Sequence, residues 1–410
     1  MNSATITVDG DDSWSLRQAE VVEAVSAPGY VRIEALRKGP APDPKSLLYK
    51  TVELKIPTME TSNPWRKVKG IVWEARSLGP FRPGDPRSVI KLVVVPPMMV
   101  MSLRRIDRSF GSLPAMRVWE EVVDAWGERV PFATEGPMMV LENEPCTLPL
   151  QTTHQAMETD LEFLLRLWNI HGVFWFNDSD GEDALPTLRL GTYSPGAAPW
   201  GSGTTLTYNP QVTTARLDAN VLQFTRLAMA GPRTPVVISM HPALRPSVPP
   251  ANVDVVGHPP SAASFRGYDW FEEESLAPLH GSNLGEMQTR AAGVLEQTML
   301  LDEHWAIGTA STTTVTAGRR LDISGLPGDP GDSWFITANR TLIAGPGVVG
   351  GVDPEEPQIL TSFRAVPLQV RFRPPLLSSR LDPPPLQGGL HGHDFDQVLS
   401  LGKGDADVSQ

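Results

Sequence analysis

Proline and glycine divide this chain into short segments, and that division limits what it can fold into. The 40 prolines are about twice the usual share of roughly 5%. Many of them fall in turn-forming clusters, such as residues 39–44 and 79–86. Because proline lacks a backbone donor and fixes φ, it belongs at edges, turns and connections rather than inside helices or central strands. The pattern therefore predicts many short strands joined by stiff loops.

The apolar segments between these loops have the spacing of strands. Val52, Leu54 and Ile56 alternate on one face, whereas residues 89–95 are almost continuously apolar. The first hundred residues therefore predict a barrel or a strongly curled sheet. Strand patterns return at residues 205–240 and again from Trp305 onward. The other strand segments are residues 30–36, 71–73, 221–227, 236–238, 333–338 and 359–365.

Three segments predict helices. Residues 115–126 place their apolar side chains on one helical face, after Pro114 and before Gly127. A second helix begins with a capping box at Thr159 and Glu162 and ends at Gly172, and the aromatic strand 173–176 follows. The third prediction is residues 283–300, with Asn283 as cap and Glu286 at the third position.

Charge and cysteine content exclude several classes of protein. The net charge is −12 and the pI is about 5.2, which argues against a general binder of nucleic acid or anionic membranes, since those need a basic surface. Cys146 is the one cysteine, so neither an intrachain disulfide nor a Cys-rich zinc module can form. A reducing compartment is expected.

The sequence predicts neither a membrane span nor a signal peptide. The strongest apolar run, residues 93–101, is interrupted by Pro96 and Pro97 and is shorter than the ~18 residues of a span. Acidic residues occupy positions 9, 11 and 12, where a signal peptide needs an apolar stretch. We expect the chain to stay in the cytoplasm unless a machine exports it.

Patterns that could indicate chemistry are better explained as structure. A Gly-x-Gly-x-x-Gly pattern at residues 345–350 contains Pro346, which favours a hairpin loop over a dinucleotide site. The His and Asp residues of 391–396 lie in a glycine-rich tail without a framework for a metal. Acidic runs such as residues 272–274 are typical of solvated faces. The sequence therefore predicts no catalytic, cofactor or metal site, and no enzyme.

Residues 158–168, continued by residues 172–176, resemble without a gap a segment of VgrG spike proteins of type VI secretion. Three other stretches follow in the family's order: residues 69–72, residues 103–110 before the first helix, and the exit at residues 363–367 and 372–375. The residues that match the family's motifs are Gly70, Arg105, Arg108, Phe110, Glu158, Asp160, Phe163, Arg166, Leu167, Gly172, Phe174, Arg373 and Pro374.

The resemblance implies an α+β, β-rich fold with two barrel-like tube domains per subunit, which form a trimeric pseudo-sixfold ring. The first barrel is expected at residues 1–110 and the second at 205–240 and 301–373. Helical and β elements of 111–204, with 241–300, are inserted between them. Residues 374–410 are expected to form a Pro/Gly-rich linker and the start of an OB-fold.

The implied function is that of a structural hub at the base of a contractile spike, which adapts a hexameric inner tube to a trimeric spike. The implied partners are two further copies of the chain, the tube protein, baseplate proteins, a needle or PAAR-like tip protein and an effector cargo, with no cofactor. The hub would assemble in the cytoplasm and leave it on contraction.

The sequence departs from the family's pattern in two places. Residues 169–171 replace the acidic residues that usually precede the glycine, and the chain stops at Gln410 without an OB-fold and needle, which suggests truncation or a needle on another chain. A phage or phage-derived tail baseplate hub is an alternative with nearly the same fold and role, and neighbouring genes would decide it. A hub-fused secreted hydrolase or toxin is a second alternative, although the tail after Arg373 is short for a further domain.

Overall fold

A computed structural model describes most of the chain up to residue 374. The described residues are 4–60, 63–111, 113–127, 153–180, 185–201, 203, 205–211, 220–228, 234–239, 251–252, 272–277, 301, 304–327, 333–344 and 358–374. Several predictions lie outside them: the third helix at 283–300, the glycine pattern at 345–350, Cys146, and the linker and tail of 375–410.

Six antiparallel strands wrap around one apolar core in the N-terminal part of the chain. They are β1 (Thr5–Val8), β2 (Trp14–Ala24), β3 (Ala27–Lys38), β4 (Thr51–Pro57), β5 (Trp65–Pro80) and β6 (Arg87–Val95), in the order β1-β4-β5-β6-β3-β2. The predicted alternation is confirmed in β4, where Val52, Leu54 and Ile56 are buried in this core. We call this unit the first barrel.

Two helices and four short strands follow in the chain. They are β7 (Arg108–Phe110), α1 (Ala115–Gly127), β8 (Thr153–Gln155), α2 (Asp160–Ile170), β9 (Phe174–Asp178) and β10 (Thr187–Gly191). β7 pairs with β8, and β9 pairs with β10. Both described helices lie where the sequence predicts them. α2 is buried on more of its circumference than a single stripe, because Phe163 and Leu167 are covered together with Leu161, Leu164 and Trp168.

Nine strands complete the described fold. They are β11 (Leu206–Tyr208), β12 (Asn220–Leu227), β13 (Thr234–Ser239), β14 (Ala251–Asn252), β15 (Glu272–Ala277), β16 (Trp305–Ala310), β17 (Arg320–Ser324), β18 (Ser333–Ala344) and β19 (Gln358–Pro367). Six of them form a closed ring in the order β18-β17-β11-β12-β16-β19, since β19 pairs again with β18. We call this ring the second barrel.

One continuous sheet of twelve strands includes both barrels. β18 pairs with β2 through seven residue pairs, from Ala338↔Ala24 to Ala344↔Gln18. Ile343 and Ile359 of the second barrel are buried in the core of the first. The predicted β-rich class is confirmed.

A buried polar contact also links the barrels. Arg66 on β5 is 1% exposed, and its Nη1 donates to the carbonyl of Thr313 at 2.8 Å. Its Nη2 donates to Glu23 at 2.5 Å, and the Thr313 hydroxyl donates to the carbonyl of Pro57 at 3.0 Å. The loop between β16 and β17 is therefore attached to the first barrel by side chains and backbone.

The division into two tube domains with an insertion stays a prediction. β13 falls at the end of the predicted segment 205–240, yet it pairs with β14 and β15 in a separate three-stranded sheet.

Among the described residues, no helix is long and apolar enough to cross a membrane.

Candidate functional site

The predicted capping box at the start of α2 is present. The Thr159 hydroxyl accepts from the backbone N–H of Glu162 at 3.2 Å, and the Glu162 carboxylate accepts from the N–H of Thr159 at 2.7 Å. These bonds pair two backbone donors that the first turn otherwise leaves unsatisfied. They also fix the orientation of the next residue, Asp160.

Asp160 is the centre of a buried hydrogen-bond network. Its side chain is inaccessible to solvent, and both oxygens accept two bonds. Oδ2 accepts from Arg104 Nε at 2.6 Å and from the Trp126 indole at 2.7 Å. Oδ1 accepts from Arg108 Nη2 at 2.8 Å and from Gln155 Nε2 at 2.9 Å. The carboxylate thereby joins α2 to α1, β7, β8 and the segment before β7.

The electrostatics of this network indicate a structural role. Burial lowers the pKa of Arg108, while the charge of Asp160 acts in the opposite direction. The Arg104 guanidinium also lies 4.7 Å from the centre of the Trp126 ring, within the range of a cation–π contact. Because four donors already occupy the Asp160 oxygens, the carboxylate is not placed to act as a free base or metal ligand. The described residues contain no group of three or more candidate metal ligands.

Aromatic side chains extend the same core. Phe110 and Phe163, both motif residues, are stacked with ring centres 5.5 Å apart and an interplanar angle of 7°. Trp168 contacts Trp119 edge-on at 5.3 Å and Trp175 at 6.1 Å. Such pairs add about 0.5–1.5 kcal/mol each beyond the area they bury.

An ion pair between Glu158 and Arg166 holds the segment before α2 against the helix. Arg166 Nε donates to Glu158 at 3.0 Å, and its Nη2 bonds the other carboxylate oxygen, forming a two-point pair. The same Nη2 also donates to the carbonyl of His154 at 3.0 Å. Leu167, on the next position of the helix, is buried.

A second group of motif residues connects the end of α2 with the end of the described chain. Gly172 has φ +65°, a left-handed conformation that favours glycine. Its carbonyl accepts from Arg373 Nη1 at 2.5 Å. Phe174 contacts the rings of Phe335 and Phe372 edge-on at 5.5 and 5.8 Å, and Pro374 is buried beside Arg373.

Gly70 lies apart from both groups, in the first barrel. It pairs with Val52 across β4 and β5. A Cβ at this position would lie 2.6 Å from the carbonyl oxygen of Val95 and 2.8 Å from Cγ1 of Val94. A side chain there would push β5 away from the end of β6.

Most of the motif residues thus form two groups, with Gly70 apart from them, but the predictions missed some of the partners of these groups. Arg104 holds Asp160, whereas the predicted Arg105 is half exposed and lies 4.0 Å from Glu162. The sequence places Trp126 on the apolar face of the first helix but not beside Asp160, and it does not single out Gln155. No local signal distinguishes two adjacent arginines, because the choice depends on which one faces a helix more than fifty residues later.

A further acidic pair lies at the end of β9, outside the motif. Arg319 Nη2 donates to Asp178 at 2.9 Å and to Asp180 at 3.1 Å, and the Trp200 indole donates to Asp180 at 2.8 Å. Burial acts to raise the pKa of Asp178, but Arg319 and Arg189 outweigh it and lower that pKa. Burial and the charge of Asp178 raise the pKa of Asp180.

The family profile described as phage tail baseplate hub (GPD) matches residues 22–345, which include most of both barrels and all of α1 and α2. The chain belongs to the phage tail baseplate hub family. Among curated proteins, none matches the chain.

Solved structures share the fold of this hub protein at low sequence identity. A type VI secretion component of E. coli, described as similar to tail proteins of bacteriophage T4, has a TM-score of 0.59 at 14% identity, covering 90% of this chain and 79% of that one. A tail protein of Neisseria meningitidis has a TM-score of 0.59 at 12% identity, with 90% and 97% covered. The Francisella PdpA-VgrG complex has a TM-score of 0.53 at 8% identity, with 92% and 54% covered.

Proposed function

We propose that three copies of this hub protein form a ring that joins a hexameric inner tube to a threefold spike. The observation behind the proposal is that one chain carries two six-stranded units, connected by the ladder between β2 and β18. Three copies would supply six such units, so a threefold assembly could present six similar surfaces to a hexamer. The buried motif network would keep these units and the helical segment in fixed positions.

The proposed partners follow from this role. They are the inner-tube protein on one side, a needle or PAAR-like tip protein on the other, baseplate proteins around the ring, and an effector cargo. Assembly would take place in the cytoplasm, and the hub would leave with the spike on contraction. The Francisella structure is a PdpA-VgrG complex, which supports a partner-binding role for proteins of this fold.

Light scattering on the purified chain tests the oligomer. We expect a mass about three times the 44.7 kDa of one chain, and negative-stain images with threefold or pseudo-sixfold rings. Dilution over two decades should leave the mass unchanged if the interface is extensive. A monomer or dimer at every concentration would overturn the proposal.

A phage or phage-derived tail hub is the second candidate function. It is favoured by the coverage of tail proteins, since the match extends over 97% of the Neisseria protein and all of a prophage tail protein from Shewanella oneidensis (TM-score 0.55, 12% identity, 90% of this chain). Neighbouring genes decide between the two. A phage tail and lysis gene set would support the tail hub, and secretion-system genes would support the spike.

We propose a structural rather than catalytic role. The hydrolase alternative relies on Glu272, Glu273 and Glu274, which begin β15 beside β13. The purified chain and its E272Q/E273Q/E274Q variant should both leave isolated cell wall intact in a dye-release assay. Release by the unmodified chain that the triple variant lacks would restore that alternative.

A further inference from the structure

A strip of charged side chains crosses the outer face of the continuous sheet, and we propose that it binds an acidic segment of another protein. This cationic strip consists of Arg340 on β18, Arg17 and Glu20 on β2, Arg32 and Glu34 on β3, and Lys91 on β6. These four strands are consecutive neighbours in the sheet, so the strip spans the junction of the two barrels.

Each glutamate of the cationic strip lies between two cations, one on each of the two strands that flank its own. Glu20 accepts from Arg340 Nε at 2.6 Å and from Arg32 Nη1 at 3.2 Å. Glu34 pairs with Arg17 and, at 3.4 Å, with the Lys91 ammonium. Residues that alternate with these along the strands, such as Ala19, Val21, Ile33 and Leu92, are buried in the core. The strip therefore faces away from the core.

The cations, not the carboxylates, are what this face presents to a partner. The side chains of Arg32, Arg340 and Lys91 are 46%, 47% and 51% exposed, whereas Glu20 and Glu34 are 15% and 12% exposed. Two aromatic rings also support guanidinium groups of the strip. Arg32 lies 4.6 Å from the centre of Tyr30 on β3, and Arg17 lies 5.0 Å from that of Phe81 in the loop between β5 and β6. The cations are thus held in place before any partner arrives, which lowers the entropy lost on binding.

The charge of the strip is opposite to that of the chain. Four cations and two carboxylates give the strip a net +2, and because the chain as a whole carries −12, the remainder carries −14. A local cationic face on an acidic protein favours an acidic partner and selects its docking position. Adjacent strands are about 4.8 Å apart, so carboxylates about 10 Å apart could reach the cations of β18 and β3.

Protein fits this face better than nucleic acid. Leu342 is 41% exposed and lies directly opposite Glu20 in the β18–β2 ladder, which adds an apolar contact beside the charges. Single-stranded nucleic acids bind mainly by stacking on exposed aromatic rings, and the described rings of these four strands, Trp14, Tyr30, Trp334 and Phe335, are all buried. The −14 of the remaining chain would also repel a long polyanion.

Fluorescence anisotropy with a labelled oligoglutamate peptide tests the proposal on the intact chain at low salt. We expect saturable binding that weakens as salt is added. In the R32Q/R340Q variant it should weaken about fivefold, the order expected for two exposed charge contacts. The matched control is K55Q/R117Q, which removes the same charge from exposed pairs with Glu53 and Glu120 outside the strip and should bind like the unmodified chain.

Three results would overturn the proposal. They are the absence of saturable binding at low salt, equal weakening in both double variants, and tighter strip-dependent binding of an oligonucleotide of equal charge. Circular dichroism melting checks that the variants are folded. If R32Q/R340Q is unfolded, K91Q replaces it in the same assay, because this change removes a cation that pairs with Glu34. The inference is independent of the proposed trimer, because a monomer that binds the peptide would contradict only the ring.

Discussion

At the scale of single residues, the most consequential group is Asp160. Its two oxygens accept from Arg104, Arg108, Trp126 and Gln155. Asp160→Asn would turn two acceptor positions into donors and leave two guanidinium groups without their counter-charge. We expect a loss of about 3 kcal/mol in the free energy of unfolding, the lower end for removing one partner of a buried pair, because both arginines are about one-fifth exposed.

Urea unfolding followed by tryptophan fluorescence measures this loss. The control is Arg117→Gln on α1, whose partner Glu120 is also exposed, and for which we expect a change below about 0.5 kcal/mol. If Asp160→Asn were as mild as the control, the buried network would not contribute to stability as described.

The residue pair Asp178 and Asp180 gives a pH-dependent prediction with opposite signs. The pKa of Asp178 is lowered in the folded state, so its carboxylate stabilises the fold above the unfolded value of about 3.9, and that contribution is lost as pH falls through the folded pKa. The pKa of Asp180 is raised, so ionising it costs stability once pH exceeds about 3.9. The cost is complete above its folded pKa.

Two isosteric variants separate these effects. At pH 7, Asp178→Asn should lower the thermal midpoint, whereas Asp180→Asn should leave it unchanged or raise it, since the amide oxygen can still accept from Trp200. Both differences should shrink as the pH approaches about 3, where an unfolded aspartate is protonated. Midpoints that fall equally in both variants at pH 7 would contradict the assignment.

At the scale of elements, the capping box of α2 makes a prediction that depends on a few local atoms. Thr159→Ala removes the hydroxyl that accepts from the N–H of Glu162 and should cost about 1 kcal/mol of stability. Glu162→Gln keeps an oxygen that can accept from the N–H of Thr159, so it should cost less than half as much. Chemical denaturation of the two variants in parallel compares their free energies of unfolding. A larger loss for Glu162→Gln would show that the charge of Glu162, rather than its hydrogen bond, stabilises the helix.

Elements with local signals are those that the sequence predicts well. The capping box at Thr159 and Glu162 is a local signal, and so is the single apolar face of α1, because each is made of residues that are close in sequence. Composition and spacing therefore suffice to place both helices. β15 has no such signal, since it begins Glu-Glu-Glu-Ser and is a strand because β13 pairs with it. The contact between Arg104 and Asp160 and the ladder between β2 and β18 join residues far apart in the chain, and only the folded geometry selects them.

At the scale of the whole molecule, the barrels should unfold together. They share the β2–β18 ladder and a core that includes Ile343 and Ile359, and Arg66 joins β5 to the loop at Thr313. Because Ile343 and Ile359 are buried in the first barrel's core and the β2–β18 ladder joins the two sheets, separate unfolding would expose apolar surface on both sides. One cooperative calorimetric transition is therefore expected for this part of the chain.

Arg66→Ala is the sharpest test of that coupling. It would leave the carbonyl of Thr313 and the carboxylate of Glu23 without this donor. The cost should be about 3 kcal/mol, the lower end for removing one partner of a buried pair, because Glu23 is one-quarter exposed. Because the shared ladder and core remain, the single transition should shift to lower temperature without splitting. Lys55→Gln, which removes an exposed pair with Glu53 on β4, should leave the transition in place. Two resolved transitions in Arg66→Ala would mean that this contact, rather than the continuous sheet, makes the barrels one cooperative unit.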